Sequence, residues 1–301
     1  MSRSITVGLD GSPESRAAAE WAAREARLRD LPLRLVHVGE PVPEPMAHAP
    51  RTGAETYRHW TERVARETAE GLRLRHPGVE VTAQQRAGSP QEVLTAEARE
   101  AELLVLGSRG LSGVGGFLVG SVGQAVLAHA ERPVVVVRAG EQAADEHDKD
   151  AVGIPSAATP YRPVVLGVDT AAADDTVLAF AFEEAARRGT AVRAVHAWDL
   201  PAYYAYGLAV DPVFDEEYSD QIKAELVEVL RPWRHKHPCV EVVADCGSGS
   251  ASARLVDAAR DASLVVVGRR TRRAPFGPHI GPVTHAVLHH AATPVAVVPH
   301  G

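Results

Sequence analysis

The feature that most restricts how this 301-residue chain can fold is that it is written twice. Pro163-Val164-Val165-Leu166-Gly167-Val168-Asp169 repeats, 159 residues on, the segment that ends Ile5-Thr6-Val7-Gly8-Leu9-Asp10. Val195-His196-Ala197 repeats Val36-His37-Val38 at the same offset, and Cys246-Gly247-Ser248 aligns with Ala87-Gly88-Ser89. Gly268 and Gly281 follow Gly107 and Gly120 at an offset of 161, which places a small insertion near Gly249. A steady offset over this length means a duplicated domain. The expected division is 1–140, then 161–301, joined by a linker at 141–160. Glu141, Asp145, Glu146, Asp148, Lys149 and Asp150 make that linker polar, and it carries few aromatics.

Within each copy, short apolar runs alternate with helical patterns. In the first copy, Ile5–Leu9 is a strand. Ser12 and Pro13 then open a helix as N-cap and first helical residue, with Ala18, Trp21 and Ala22 on its inner face. Leu33–Val38 is the second strand. Glu55–Arg75 is a long polar helix with Val64 and Leu72 turned inward, and Val79–Ala83 alternates as an edge strand. Gly88-Ser89-Pro90 starts the next helix. Strands alternating with helices predict an α/β fold with a parallel sheet covered on both faces. Ligands of such sheets sit at the carboxyl ends of the strands.

The stretch richest in chemistry is Leu103-Leu104-Val105-Leu106-Gly107-Ser108-Arg109-Gly110, followed nine residues later by Gly120-Ser121-Val122 and then by Val134–Val137. It reads as strand, glycine-rich loop, helix, strand. Ser121 is the expected N-cap, and the helix start is a natural anion site. The glycines let backbone approach a ligand. The alternative is a tight crossover in which glycines serve packing alone.

Gly107-x2-Gly110-x9-Gly120-Ser121 resembles the ATP-binding loop of the universal stress protein (UspA-type) family, and the duplication resembles its tandem members. The resemblance covers both copies. It implies two Rossmann-like domains, each a five-stranded parallel sheet of order 3-2-1-4-5. It also implies ATP with Mg2+, Asp10 beside the ribose and the Val38 backbone beside the adenine. The nucleotide-binding set it marks is Gly8, Asp10, Val38, Gly107, Arg109, Gly110, Gly120, Ser121 and Val122. Read alone, Asp10 serves equally well to cap the following helix. Single-domain members dimerise through the last strand, so the valine-rich runs Val134–Val137 and Val295–Val298 are expected to pair as an internal pseudo-dimer, or to join chains into a homo-oligomer.

The second copy is altered. Its matching set is Asp169, Ala197, Gly268, Gly281 and Val283, but Thr271 replaces the second glycine and Pro282 the serine. Proline removes a backbone donor and the hydroxyl together. The second site is therefore expected to be weaker or repurposed, with Arg269, Arg270, Arg272 and Arg273 as compensating charge or a solvated basic loop.

Other classes are disfavoured. A net charge of −7 and 5% aromatics give no footprint for nucleic acid or for an anionic membrane surface. No signal-peptide core or membrane-length apolar run is present, so a cytoplasmic protein is expected. The only lysines are Lys149, Lys223 and Lys236, which excludes a P-loop, and there is no Gly-x-Ser-x-Gly elbow. Cys239 and Cys246 flank an expected strand and form no disulfide framework. His285 and His289 are four apart with no evident third ligand, and His37 and His196 read as packed core histidines. No carboxylate cage is visible, so a metal would ride on the phosphates. The expected function is an ATP-binding stress-response protein, a nucleotide-responsive regulator rather than a metabolic enzyme. A nucleotide-free scaffold and a slow ATPase are the alternatives.

Overall fold

The computed structural model describes residues 3–39, 52–110, 117–198, 212–271 and 280–301; for 52–62, 109–110, 117–118 and 212–217 the description is of the backbone. The expected proline-rich loop from Pro41 to Pro50 lies outside these residues. Contacts divide the chain into two compact units that part between Ala143 and Ala144.

The first unit contains β1 (Ile5–Leu9), α1 (Pro13–Arg29), β2 (Leu33–Gly39), α2 (Thr52–Arg75), β3 (Val81–Ala87), α3 (Pro90–Glu100), β4 (Leu103–Gly110), β5 (Phe117–Leu118), α4 (Ser121–His129) and β6 (Val134–Arg138). Its parallel sheet runs β3-β2-β1-β4-β6, the expected 3-2-1-4-5 order. Register is set by Val7↔Leu35 and Val7↔Val105 on either side of β1 and by Gly107↔Val137 beyond β4. Every residue of β1 and β6 is buried, as continuous apolar runs require. A Cβ on Gly8 would meet Leu94 of α3, whereas one on Gly107 would meet α1, so these helices cover opposite faces.

Local signals place the helices. Ser12 accepts the Ser15 amide at 3.1 Å and Pro13 is the first helical residue of α1. Asp30 closes the helix in the left-handed region at φ 52°. The third strand lies further along than the alternation suggested, at Val81–Ala87, because it pairs residue for residue with Leu33–Gly39 of β2. In α2 the inward side chains are Ala65, Ala69 and Leu72, with Val64 half-buried. The sheet also gains a short antiparallel partner absent from the sequence reading: β5 pairs with β4 through Arg109↔Leu118 and Gly110↔Phe117.

The second unit contains β7 (Val164–Gly167), α5 (Asp175–Arg188), β8 (Val192–Trp198), α6 (Pro212–Lys236), β9 (Val242–Ser248), α7 (Ala251–Ala258), β10 (Leu264–Arg270), α8 (Pro282–His290) and β11 (Val295–His300), with the parallel order β9-β8-β7-β10-β11. The pairing corrects one alignment. β9 repeats β3 at 161, so the partner of Gly88-Ser89 is Gly249-Ser250 and not Gly247-Ser248. Gly88 and Gly249 both have positive φ, at 139° and 105°. Ser89 and Ser250 both precede a helix as N-caps. The insertion therefore falls before β9. Cys246 lies inside that strand, half-buried, and burial pushes its thiol upward.

Residues of the stretch expected to be a linker pack against each of the units. Glu141 pairs with the buried Arg24 at 2.5 Å in the first unit. In the second, Glu146 and His147 are buried, and the His147 ring packs on Tyr161 at 4.0 Å.

Candidate functional site

In the first unit, β1 and β4 are parallel neighbours, so Asp10 and the Gly107-Ser108 part of β4 lie at the same end of the sheet. Asp10 is exposed, and its Oδ1 accepts the Ser12 amide at 3.0 Å and the Ser12 hydroxyl at 2.5 Å. It thus serves the start of α1, the capping alternative left open by the sequence. The imidazole of His37, on β2, is buried as expected. Burial lowers its affinity for a proton, and the nearby Asp10 carboxylate only partly opposes this. Unfolded His37 therefore takes up a proton near 6.5, before the folded one does. The resulting stability is complete above that pH and is lost as the pH falls below it. The urea midpoint of the first unit is expected to drop between pH 7.5 and 5.5, and His37→Gln is expected to flatten that drop. An identical slope in the variant would remove His37 as the cause.

Two of the marked glycines have a packing reason. A Cβ on Gly107 would stand 2.5 Å from the Glu14 carbonyl carbon, and one on Gly8 would stand 2.8 Å from Leu106. Ser121 is not the N-cap. Gly120 is, with φ −60° and ψ 167°, and it has no side chain with which to cap α4; Ser121 is its first helical residue and is exposed. The hydroxyl of Ser108, a residue outside the expected set, is buried with no hydrogen-bond partner among the described residues. Val38 and Val122 are half-buried. The side chain of Arg109 and the loop 111–116 lie outside the described residues, and Gly110 is described only as paired with Phe117.

The second unit holds a cavity of about 480 Å³ at the carboxyl ends of β7 and β10. All five residues expected there line it: Asp169, Ala197, Gly268, Gly281 and Val283. Gly281 is the N-cap of α8, and a Cβ there would meet nothing within 4 Å. Its φ is −61°, so neither packing nor backbone conformation demands glycine. Pro282 is the first helical residue, as its missing N–H permits.

The walls differ from those of the first unit for a local reason. Ala171 stands where the repeat has Ser12, so no side chain caps a helix there. A 3-10 turn, Thr170–Ala172, follows instead, and α5 waits for Asp174, which accepts the Thr176 amide at 2.8 Å. Where Gly107 abuts the α1 backbone, Gly268 abuts the His300 imidazole, with Nε2 2.8 Å from a would-be Cβ. His300 comes from the end of β11, and its Nδ1 lies 3.5 Å from Asp174.

Several expectations are corrected here. Thr271, which replaces the second glycine, is not among the residues that line the cavity. It is exposed, and its hydroxyl donates to the His300 carbonyl at 2.7 Å. The four arginines are not one basic loop: Arg269 is buried, and that burial lowers its proton affinity, whereas Arg270 pairs with Asp169 at 3.0 Å. Arg272 and Arg273 lie outside the described residues. His196 is not a core histidine; it is half-buried, lines the cavity and bonds through Nδ1 to the Val168 carbonyl at 2.9 Å. Asp169 and Arg270 are largely exposed, so their pair is worth at most about 1 kcal/mol. The rings of His285 and His289 lie 4.3 Å apart, and no group of three or more His, Cys, Asp or Glu that could hold a metal occurs among the described residues. Among the same residues no helix is long and apolar enough to cross a membrane.

The second-unit cavity stands where the repeated glycine motif falls, and a sequence model of the Universal stress protein family matches residues 1–138 and again 160–299. The chain belongs to the universal stress protein family. A universal stress protein of Mycolicibacterium smegmatis is 34% identical over 98% of this chain and 96% of its own. Universal stress protein Rv2005c of Mycobacterium tuberculosis is 34% identical over 97% of this chain and 96% of its own. In fold, the chain resembles a universal stress protein from Archaeoglobus fulgidus, with a TM-score of 0.69, 18% identity and full coverage of both chains. The universal stress protein unit occurs here in tandem.

Proposed function

We propose that this universal stress protein is a nucleotide-responsive regulator whose first domain, 1–140, binds ATP and whose second, 161–301, carries a modified site. The observation that carries the reading is the start of α4. The N-cap is Gly120, which has no side chain to occupy the helix N-terminus, and it lies at the carboxyl end of the sheet with Ser121 exposed on the first turn. Uncapped amides and the positive end of the helix dipole suit a phosphate chain. In this reading Asp10 and the Val38 backbone hold the nucleoside, and Gly107, Arg109, Gly110, Gly120, Ser121 and Val122 border the phosphates. Mg2+ would be held by the phosphates themselves. The last strands, β6 and β11, each valine-rich, are proposed to pair and cover one another's open edges. A cytoplasmic location is part of the same reading.

Calorimetry of the full chain with Mg-ATP tests it. One tight site is expected. Ser121→Ala is expected to weaken binding by about 1–2 kcal/mol through loss of a hydrogen bond to a charged group. Absence of binding, or equal affinity in the variant, would overturn the assignment. A nucleotide-free scaffold is the second reading, and the packing of Gly8 and Gly107 favours it, since those glycines need no ligand to explain them.

A further inference from the structure

We infer that the second crevice is a nucleoside monophosphate site that discriminates against the triphosphate, an inference that rests on reading these crevices as nucleotide sites. The cavity has the size of an ordinary small-molecule site, about 480 Å³. Its apolar wall, including Val168, Leu178 and Val267, suits a base, and its lip carries the Asp169–Arg270 pair at 3.0 Å.

That pair selects the ligand. It is exposed and easily parted, but parting it leaves two opposite charges in need of partners. A ligand with a vicinal diol and one phosphate supplies both. The diol hydroxyls donate to the Asp169 carboxylate, and the guanidinium of Arg270 donates to the phosphate in its forked geometry. A nucleoside without phosphate satisfies only the carboxylate.

Among the described residues, the start of α8 offers further phosphates few donors. Pro282 has no N–H where the first unit has Ser121. The one hydroxyl in the first turn of α8, that of Thr284, donates to the Gly268 carbonyl at 2.9 Å. The Asp174 carboxylate also lines the cavity and repels added negative charge. The first unit offers Ser121 and Gly123 at the positions of Pro282 and Thr284, with neither restriction.

The test is calorimetry of the full chain carrying Gly120→Val, which removes the first site, titrated with AMP, ATP and adenosine. One AMP per chain is expected, bound about 10-fold more tightly than ATP or adenosine, the scale of one hydrogen bond to a charged group. Arg270→Gln in that background should bring AMP down to the affinity that the same variant shows for adenosine. Pro282→Ser should raise ATP toward AMP. Ser121→Pro serves in place of Gly120→Val if the latter unfolds, since proline is accepted at a first helical position. Binding of ATP as tight as AMP, an unchanged AMP-to-adenosine ratio in Arg270→Gln, or no adenine ligand bound would each overturn the inference. If the wild-type chain binds one ATP while the Gly120→Val chain binds nothing, this inference alone fails. If the wild type binds no nucleotide, the proposed function fails with it.

Discussion

Gly107→Ala is expected to destabilise the first unit by about 3 kcal/mol, the upper end of the range for overpacking. The added Cβ would lie 2.5 Å from the Glu14 carbonyl carbon, 2.7 Å from the Ser15 amide nitrogen and 2.8 Å from the Glu14 carbonyl oxygen. All three obstacles are backbone, and they belong to the first turn of α1, which Ser12 and Pro13 hold in place. A flexible side chain could rotate away; a capped helix can retreat only by giving up its packing on the sheet. Urea unfolding followed by the fluorescence of Trp21, buried in α1, reports the loss. Gly281→Ala is the control. Its Cβ enters open space, so its stability should change by no more than about 1 kcal/mol, the difference between glycine and alanine as N-cap. Equal losses at the two positions would mean that the close approach of β4 to α1 is not what requires glycine at 107.

Gly120→Val is expected to show the opposite signature: loss of at least about 100-fold in ATP affinity with a stability change near 1 kcal/mol. Its φ of −60° is open to any L-residue, so the backbone accepts valine. What changes is the space in front of the α4 amides. In the proposed reading, two methyl groups there would displace the phosphate from the α4 amides. Calorimetry with Mg-ATP and a urea titration on the same preparation separate the two effects. An affinity within about 3-fold of wild type would leave the glycine loop without a phosphate-binding role and favour the scaffold reading.

The two substitutions mark the division between sequence and tertiary structure. What the sequence determined by itself was local or periodic. The repeated apolar runs specified buried parallel strands, because a strand covered on both faces has no polar side to show. Ser12-Pro13 specified the start of α1, because a cap and its N–H partner lie three residues apart. The repeat placed Asp169, Ala197, Gly268, Gly281 and Val283 at equivalent positions, and these residues line one cavity. What only the tertiary structure decided involved neighbours remote in the chain. Gly107 and Gly281 look alike as letters, but one meets the backbone of a helix 90 residues earlier and the other meets nothing. Thr271 turns out of the crevice because the β11 carbonyl of His300 accepts its hydroxyl. His300 reaches the cavity because β11 runs beside β10, with Arg270↔His300 in register. Asp174 becomes the cap of α5 because Ala171 cannot cap, and that one-turn delay sets the wall of the second crevice. Pairing likewise moved β3 to Val81–Ala87, since alternation shows which face is inward while hydrogen bonds to β2 choose which residues take part.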